Sequence, residues 1–299
     1  MNDLSVIVVT YKTKKEILIK CLNSIEKKSK IIIIENSRNF NDKKYFLKKF
    51  KNLKIFCTNS NIGYGAGNNY GLTKVKTKYA MILNPDSICS KNFFKNLNNN
   101  INQIKDFHII GCQNKQKQVP AGFFKKNEDL SFKEKAKKNM LKNIEKVNWV
   151  KGFSLILNLK KFKNKKNFFD ENFFLFLEEI DLCQKITKNN GKIYFCKNLI
   201  VKHLGFKSSF VSNKEEERDL NNLKNWHYMW SSFYYFKKNY GFFNALFKMS
   251  GKLLSSFIKI IIFTFFFNFK KKEKYIYRFK GLICSILGYP SKFRTKNFY

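Results

Sequence analysis

Acidic residues and arginine are both scarce in this sequence. The 21 Asp and Glu residues stand against 59 Lys and Arg, so the formal net charge is +38 at pH 7. Only four of the basic residues are arginines: Arg38, Arg218, Arg278 and Arg294. A basic excess favours anionic partners, but proteins that bind nucleic acid usually rely on arginine for bidentate contacts. We therefore expect most lysines to lie on solvated surfaces, with no nucleic-acid partner.

Closely spaced cysteines are also missing, and we expect no leader segment. The seven cysteines are scattered and none forms a Cys-x-x-Cys pair, which argues against a zinc ribbon, a redox motif or a disulfide framework. Free buried thiols in a reducing cytosol are expected instead. No basic stretch followed by an apolar core opens the chain, so we expect no secretory signal. The hydrophobic content of 44% excludes a wholly disordered chain.

The first third of the chain alternates strand and helix patterns. Apolar, β-branched runs predict four buried strands, and helical spacing predicts helices over Lys14–Lys27 and Asn68–Lys74. The predicted strands are Leu4–Thr10, Ile31–Ile34, Leu53–Cys57 and Ala80–Leu83. This alternation is typical of an α/β fold with a doubly wound, mostly parallel sheet.

Each predicted strand is followed by polar residues: Thr10-Tyr11, Glu35-Asn36, Asn59–Asn61 and Asn84-Pro85-Asp86. Ligands of open α/β sheets bind outside the carboxyl ends of the strands, so these ends favour a nucleotide or phosphate pocket. No Gly-x-Gly-x-x-Gly turn follows the first strand, and there is no Walker lysine loop. Both absences count against dinucleotide dehydrogenases and P-loop ATPases.

The rest of the sequence is less regular. Gly111–Asn148 is Lys-rich and indicates an excursion from the sheet. A helix is expected to begin near the acidic residues within Phe168–Lys188, and Lys192–Cys196 is expected to form a final short strand. We divide the chain into a domain over residues 1–235 and a helical region over residues 236–299.

The tail differs in composition from the rest of the chain. Residues 237–299 hold fourteen basic residues and one acid. Leu253–Phe269 is almost entirely Ile, Phe and Leu, but its 17 residues fall short of the ~20 that span a bilayer. Lys252, Ser256 and Lys259 recur at helical spacing and keep one face polar. We predict an interfacial, membrane-associating helix; a core helix of an all-α subdomain is the alternative.

Seven short runs occur in a recognisable order: Val6–Lys12, Asn61–Gly71, Leu83–Ser87, Trp149–Phe153, Phe174–Cys183, Val201–Ser209 and Tyr235–Gly241. Together they resemble family 2 glycosyltransferases with the GT-A fold, in particular the rhamnosyltransferase-like enzymes of cell-surface polysaccharide assembly. The resemblance covers residues 1 to about 245. It implies a nucleotide-diphospho-sugar transferase fold, with a Rossmann-like, mostly parallel sheet and helices on both faces.

The resemblance implies a donor site at the strand ends. Thr10 and Tyr11 would contact and stack on the nucleobase. Glu35 stands where the family usually has Asp and would accept hydrogen bonds from the base or ribose; a solvated loop acid is the alternative. Asn68 would supply an amide donor at a helix N-terminus, where anions are favoured. The set implied for the nucleotide sugar is Thr10, Tyr11, Glu35, Asn61, Gly63, Gly67, Asn68, Asn84, Asp86 and Gly152.

A divalent cation is also implied. Asn84-Pro85-Asp86 replaces the Asp-x-Asp motif of the wider fold, and its last acid, Asp86, is placed to hold Mg²⁺ or Mn²⁺. Such cations take oxygen ligands and neutralise a leaving diphosphate. His203 follows the last predicted strand and is a further candidate ligand, with a purely structural histidine as the alternative.

The acidic run Glu178-Glu179-x-Asp181 is the candidate catalytic centre. An inverting transferase needs a carboxylate to take the proton of the acceptor hydroxyl. The family usually has Glu-Asp-x-Asp here with the first Asp as base, and this chain places Glu179 at that position. Asp181 would cap or brace the helix start. The alternatives are a neighbouring base, or an acidic helix turn without catalysis.

These features predict an inverting, metal-dependent glycosyltransferase. By resemblance the donor is a dTDP-sugar, dTDP-rhamnose above all, or a UDP-sugar. The acceptor would be a glycan, such as one linked to polyprenyl diphosphate, met by peripheral contact at the inner, cytoplasmic face of the cell membrane. The alternative is a protein that binds nucleic acid or an anionic surface through its lysines and retains only a degenerate transferase core.

Overall fold

A computed structural model describes residues 2–115, 121–122, 124, 143–162, 167–205, 209 and 211–295. The chain divides into two compact units. The first comprises Met1–Ile62, Ala66–Phe169 and Glu179–Phe210, and the second comprises Gly63–Gly65, Asp170–Glu178 and Val211–Tyr299. Most of the predicted excursion over Gly111–Asn148 lies outside the described residues.

The described chain contains eleven strands and eight α-helices. The strands are β1 (Leu4–Thr10), β2 (Lys30–Glu35), β3 (Leu53–Cys57), β4 (Tyr79–Leu83), β5 (Ser87–Cys89), β6 (Ile109–Asn114), β7 (Ala121–Gly122), β8 (Ile144–Val147), β9 (Trp149–Val150), β10 (Ser154–Asn158) and β11 (Ile193–His203). The helices are α1 (Lys15–Asn23), α2 (Lys43–Lys49), α3 (Tyr64–Thr73), α4 (Phe93–Ile104), α5 (Glu178–Lys188), α6 (Lys214–Tyr240), α7 (Phe242–Phe265) and α8 (Phe269–Ile286). A 3-10 turn covers Leu159–Lys161.

A mixed sheet forms the first unit, in the order β3-β2-β1-β4-β10-β6-β11-β5. The first four strands are parallel, as the alternation of strand and helix predicts. The strand β10 runs antiparallel to both of its neighbours, β4 and β6, while β6 and β11 are parallel. β5 and β8 pair antiparallel with β11, and β7 and β9 form a separate two-stranded sheet.

Helices cover both faces of this sheet. On β1, Val6 belongs to a core cluster that also contains Leu18 of α1 and Phe46 of α2. The next residue, Ile7, points to the opposite face, where a Cβ added to Gly71 of α3 would lie 2.6 Å from its Cγ2 atom. The predicted α/β sheet with helices on both faces is therefore confirmed.

Four predicted boundaries need correction. The helix predicted to reach Lys27 ends four residues earlier, at Asn23. Gly111 was expected to begin an irregular segment, but it lies within the buried strand β6. The helix expected from Asn68 begins four residues earlier, at Tyr64. The last strand does not stop at Cys196 but continues to His203 across a shift in register.

The shift in β11 has a local cause. Its polar residue Asn198 is hydrogen-bonded by two side chains of α4 in place of a neighbouring strand. The Asn96 amide donates to the Asn198 backbone oxygen at 2.9 Å, and the Asn100 amide donates to Asn198 Oδ1 at 2.7 Å. These side chains satisfy the bulged backbone, and regular pairing then resumes. The pair Lys197-Asn198 looks like a turn in the sequence, which explains the early stop that was predicted.

The second unit confirms a helical C-terminal region, built from α6, α7 and α8. The predicted boundary between residues 235 and 236 lies inside α6, and this division of the chain stays a prediction. The segment after α8 lies along α6, since the Trp230 indole donates to the Tyr289 carbonyl at 2.8 Å. Phe293 of the same segment also contacts α6, because its backbone oxygen is 2.9 Å from the Nε2 atom of His227.

The apolar run Leu253–Phe269 was expected to form one helix. Instead, it comprises the end of α7, a turn and the first residue of α8. The turn forms because Asn268 caps α8, accepting a hydrogen bond from the Lys271 backbone at 3.1 Å, and Phe267 has a left-handed φ of 50°. In the described part of the chain, no helix has the length and hydropathy needed to cross a membrane.

All seven cysteines lie among the described residues and are free thiols; five of them are buried, as predicted, but Cys57 and Cys284 are partly exposed. Burial raises the pKa of Cys112 and of Cys183 to about 12. These thiols therefore stay protonated near neutral pH, where a protonated thiol is a poor nucleophile.

The contact between α6 and α8 requires glycine at position 281. A Cβ added to Gly281 would lie 2.9 Å from the Trp226 carbonyl carbon and closer still to its oxygen. We expect Gly281→Ala to lower the free energy of unfolding by about 1–3 kcal/mol, the usual cost of overpacking, as measured by urea denaturation followed by circular dichroism.

The matched control is Gly251→Ala in α7, where no atom lies within 4 Å of the added Cβ. That change should instead stabilise the protein by about 0.5–1 kcal/mol, because alanine favours a helix interior. Equal effects of the two substitutions would contradict the close approach of α6 and α8.

Candidate functional site

The ends of β1 and β2 bring Thr10 and Glu35 together. The two residues are paired in the parallel register, and the Thr10 hydroxyl donates to Glu35 Oε2 at 2.6 Å. Glu35 ends a strand of four consecutive isoleucines and is only 2% exposed. Burial raises the pKa of Glu35, while hydrogen bonds from Thr10 and Ser37 oppose the rise. Glu35 is therefore a buried, oriented carboxyl group, not a solvated loop acid.

The helix α3 packs closely against this pair of strand ends. A Cβ added to Gly67 would lie 2.9 Å from Val9 Cγ1 and 3.1 Å from the Asn36 side-chain nitrogen. Asn36 is itself fixed, since the Thr58 hydroxyl donates to its Oδ1 at 3.1 Å. Glycine at position 67 thus lets α3 approach the carboxyl end of the sheet.

The polar residues near α3 have different environments. Asn61 is half-buried in the loop before α3. Asn68 is fully buried in the middle of α3, so its expected position at a helix N-terminus is wrong. The neighbouring Asn69 has a structural role, because its amide donates to the Phe169 oxygen at 2.9 Å and accepts from the Phe169 nitrogen at 3.0 Å.

Gly63 belongs to the second unit. It has a left-handed φ of 90°, and a Cβ here would lie 2.6 Å from the Phe174 carbonyl oxygen. The same oxygen accepts a hydrogen bond from the Tyr64 nitrogen at 3.1 Å. Only glycine meets both requirements at this position.

Asp86 and His203 meet beyond the ends of β4 and β11. Asp86 is buried, and its Oδ1 atom is 3.2 Å from His203 Nε2. The backbone also joins these segments, because the Leu204 nitrogen donates to the Asp86 oxygen at 2.9 Å. The His203 ring stacks on Phe153 with centroids 5.3 Å apart, which fixes the plane of the imidazole.

The donor set around Asp86 fits a hard divalent cation with open positions. It combines a carboxylate, an imidazole nitrogen and the Oδ1 atom of Asn84, which is buried and accepts no hydrogen bond from a described residue. The Asn84 Nδ2 atom is 3.4 Å from His203 Nε2. Within the described ranges, no group of three or more His, Cys, Asp and Glu side chains could hold a metal ion. A cation here would therefore need further oxygen ligands, such as those of a diphosphate.

Glu179 lies in the first turn of α5, against Gly152. A Cβ added to Gly152 would lie 3.3 Å from Glu179 Cγ. Burial raises the pKa of Glu179, and the backbone N–H groups of residues 179, 152 and 180 and the charge of Lys151 oppose the rise. Asp181 is buried in the same turn of helix.

The backbone just ahead of α5 is strained in a way that the sequence does not signal. Phe176 and Leu177 both have left-handed φ values, of 72° and 70°. Side chains other than glycine rarely adopt this conformation, at a cost of about 1–3 kcal/mol each, and such strain often accompanies functional sites. Here it fixes the point at which α5 begins.

Gly152 and Phe153 connect the two acidic groups. The Phe153 oxygen accepts from the Asn84 nitrogen at 3.0 Å, and its ring stacks on His203. Gly152, one residue earlier, lies against Glu179. The structure thus brings Asn84, Asp86 and His203 into one cluster. It places Glu179 beside Gly152-Phe153, the segment that contacts this cluster. Thr10 and Glu35 lie at the same edge of the sheet, because β1 is parallel to β4.

The bond between Thr10 and Glu35 predicts a pH-dependent effect on stability. Because burial raises the folded-state pKa of Glu35, ionisation of this group costs stability as pH rises through that value. Thr10→Val removes the opposing hydrogen bond and should destabilise the protein by about 1.5–3 kcal/mol where Glu35 is ionised. The difference from wild type should shrink at lower pH, where Glu35 is protonated in both proteins.

Urea denaturation at a series of pH values measures this difference, and Thr10→Ser is the control because it keeps the hydroxyl. A Thr10→Val deficit that is the same at every pH would contradict a hydrogen bond to the ionised carboxylate.

The sequence profile of Glycosyl transferase family 2 matches residues 5–176. A low-salt glycan biosynthesis hexosyltransferase of Haloferax volcanii is 23% identical over 208 residues, which cover 66% of this chain and 65% of that protein. The chain thus spans less than two thirds of the length of this curated relative.

Solved structures show the same fold at low sequence identity. TarS of S. aureus has a TM-score of 0.50 at 17% identity over 75% of this chain and 39% of that chain. Its fragment of residues 1–349 has a TM-score of 0.50 at 14% identity and covers 96% of this chain and 92% of that chain.

A mannosyltransferase of Pyrobaculum calidifontis has a TM-score of 0.53 at 9% identity, over 95% of this chain and 87% of that chain. These likenesses establish the fold, and the profile match covers more than half of the sequence. The chain therefore belongs to glycosyl transferase family 2.

Proposed function

We propose that this protein is an inverting glycosyltransferase that moves a sugar from a nucleotide-diphosphate donor to a hydroxyl group of a glycan acceptor. The proposal rests on one observation. Asn84, Asp86 and His203 converge with the segment Gly152-Phe153, and Glu179 lies beside this segment. This arrangement supplies a place for a diphosphate and its counter-charge next to a candidate base, in a chain of family 2.

The nucleoside of the donor is assigned to the ends of β1 and β2. Glu35 is oriented by Thr10 and can accept hydrogen bonds from a base or a ribose, and Tyr11 follows directly with a half-buried ring. The mannosyltransferase of P. calidifontis was solved with GDP-Man and Mn²⁺, which agrees with a nucleotide-sugar donor. By its motifs, the sugar is rhamnose carried by dTDP, or a hexose carried by UDP.

Asp86 and His203 would hold Mg²⁺ or Mn²⁺, and the Asn84 amide, whose Nδ2 atom is 3.4 Å from His203 Nε2, lies beside them. A bound cation of this kind neutralises the charge that develops on a leaving diphosphate. The stacking of Phe153 on His203 and the two backbone bonds to residues 84 and 86 keep these ligands in position. They therefore meet the substrate without a large rearrangement.

Glu179 is the proposed general base, which takes the proton of the acceptor hydroxyl. Burial raises the pKa of Glu179, and a carboxylate with a raised pKa is a stronger base for the proton of a hydroxyl. Asp181, two positions further along the same helix, braces the start of α5.

The acceptor and the location of the protein complete the proposal. A cell-surface polysaccharide precursor, or a glycan on polyprenyl diphosphate, would be met at the inner face of the cell membrane. In this scheme residues 1–235 carry the chemistry and residues 236–299 provide contact with the membrane.

The first test is a screen of nucleotide sugars for release of the nucleotide diphosphate, with Mn²⁺ present. We expect activity with a dTDP- or UDP-sugar, its loss in EDTA and its return with Mn²⁺ or Mg²⁺. Asp86→Asn should lower turnover at least ~100-fold, because it weakens the neutralisation of the leaving group.

Asp42→Asn is the matched control, since Asp42 lies at the start of α2 and pairs with Lys15. It should leave turnover unchanged. Full activity of Asp86→Asn in EDTA would rule out metal-dependent transfer at this site.

The second test concerns the base. Glu179→Gln should lower transfer by about 10²–10⁴-fold, the usual contribution of a general base, with little change in donor affinity measured by calorimetry. Because Glu179 must be ionised, wild-type kcat should fall as pH drops through its raised pKa. Glu179→Asp should keep substantial activity if the shorter side chain still reaches the acceptor.

Glu178→Gln and Asp181→Asn are the neighbouring controls. Near-normal transfer by Glu179→Gln, together with an inactive Glu178→Gln or Asp181→Asn, would move the base to another position of the same run.

A further inference from the structure

One face of α7 exposes large apolar side chains along its whole length. They recur at spacings of three, four and seven residues, which places them on one side of a helix. The Phe247 side chain is 80% exposed and that of Phe265 is 77% exposed. The face consists of Phe243, Phe247, Leu254, Ile258, Ile261 and Phe265.

The opposite side of α7 carries smaller residues and packs within the second unit. Ala245, Met249 and Ser256 are its buried positions. Near its end, the Phe263 ring stacks on Tyr275 of α8 with centroids 5.7 Å apart. Although Met249 and Phe263 point inward, six large apolar side chains of α7 point outward, which is not the usual distribution for a water-exposed helix.

The turn after α7 extends the same surface. Phe266, Phe267 and Phe269 are all exposed, Phe267 to 77%. We call these three residues and the exposed face of α7 the aromatic face. A soluble monomer rarely leaves an apolar area of this extent uncovered, and such an area usually marks a binding surface.

Lysines border the aromatic face. Lys270, Lys271 and Lys274 are exposed in the first turns of α8, directly after the aromatic residues of the turn. The sole acid of residues 237–299 is Glu273, and it accepts a hydrogen bond from Asn222 at 2.9 Å.

We propose that the aromatic face binds a lipid bilayer with anionic headgroups, with α7 lying in the plane of the interface. Phenylalanine on one side of a helix and lysine beside it is the chemistry of interfacial helices, and the lysines complement the charge of anionic lipids. The inference rests on the proposed function, which assigns membrane contact to residues 236–299, and deepens it by naming the surface and the lipid; its test does not require sugar transfer. A protein held in this way would nevertheless meet a lipid-linked acceptor at its own surface.

Charge also distinguishes this partner from a second copy of the chain. Two copies that met through the aromatic face would bring together two lysine borders with almost no acid between them, and like charges at an interface are unfavourable. An anionic bilayer instead satisfies both the apolar side chains and the lysines.

The test is sedimentation of the full chain with vesicles of phosphatidylcholine alone and of phosphatidylcholine mixed with phosphatidylglycerol. We expect binding to the mixed vesicles. The double variant Phe265→Ser with Phe267→Ser should reduce that binding at least ~10-fold, because two side chains no longer enter the interface. Both residues are exposed, so the substitutions should not disturb the fold, and circular dichroism checks this.

The same substitution made on and off the aromatic face tests whether binding depends on this surface. Leu254→Ser, on the aromatic face, should weaken binding, whereas Leu47→Ser, on exposed α2 of the first unit, should not. Likewise, Lys270→Gln with Lys274→Gln should weaken binding to mixed vesicles by about fivefold for each charge. Lys43→Gln with Lys44→Gln, on exposed positions of α2, should have no such effect.

Three outcomes would overturn the proposal. The first is no binding of the wild type to mixed vesicles. The second is binding that the lysine variants weaken but the Phe265→Ser and Phe267→Ser variant does not, which would mean an electrostatic contact in which the aromatic face does not enter the bilayer. The third is an oligomer, seen by sedimentation velocity without lipid, that the same double variant converts to a monomer, since a second copy would then cover the face.

Discussion

The antiparallel insertion of β10 is the constraint on which the candidate site depends. Its register beside β4 is fixed by pairing of Ser154 with Leu83, and the Asn84 nitrogen then bonds to the Phe153 oxygen at 3.0 Å. Because β10 runs against β4, its first residues lie at the edge where β4 ends. Gly152 and Phe153 are thereby delivered to the 84–86 turn, although they follow it by more than sixty residues in the sequence.

The same constraint brings His203 to this edge. β6 is antiparallel to β10, and β11 is parallel to β6, so β11 ends on the same side of the sheet as β4. The bulge at Asn198 is essential here, because without it the strand would not continue to His203. One reversed strand in the middle of the sheet thus brings together Asp86, His203 and the Gly152-Phe153 segment that borders Glu179.

The sequence predicted those parts of the fold that depend on local patterns. The strands Leu4–Thr10 and Leu53–Cys57 have the predicted bounds, because each is a continuous apolar run between polar residues. The polar strand ends also identified Thr10 and Glu35 as neighbours, since parallel strands end at one edge. The contact between Asp86 and His203 required a resemblance to known enzymes, because it arises from pairing of β5 with β11 across more than a hundred residues. The sequence predicted that this segment is apolar. Which side of α7 is exposed could not be predicted, because it depends on the side that packs against α8.

At positions 35 and 179 this chain has glutamate where the resemblance leads one to expect aspartate, and the structure shows how each longer side chain is accommodated. Glu35 bends toward the Thr10 hydroxyl, which holds its carboxylate at 2.6 Å. Glu179 passes over Gly152, where the missing Cβ leaves its Cγ unobstructed: a Cβ would lie only 3.3 Å away, tighter than ordinary van der Waals contact. A larger residue at position 152 would therefore push the carboxylate outward from the Phe153 segment. The glycine and the longer acid act as one unit, and the reach of the candidate base is set by both.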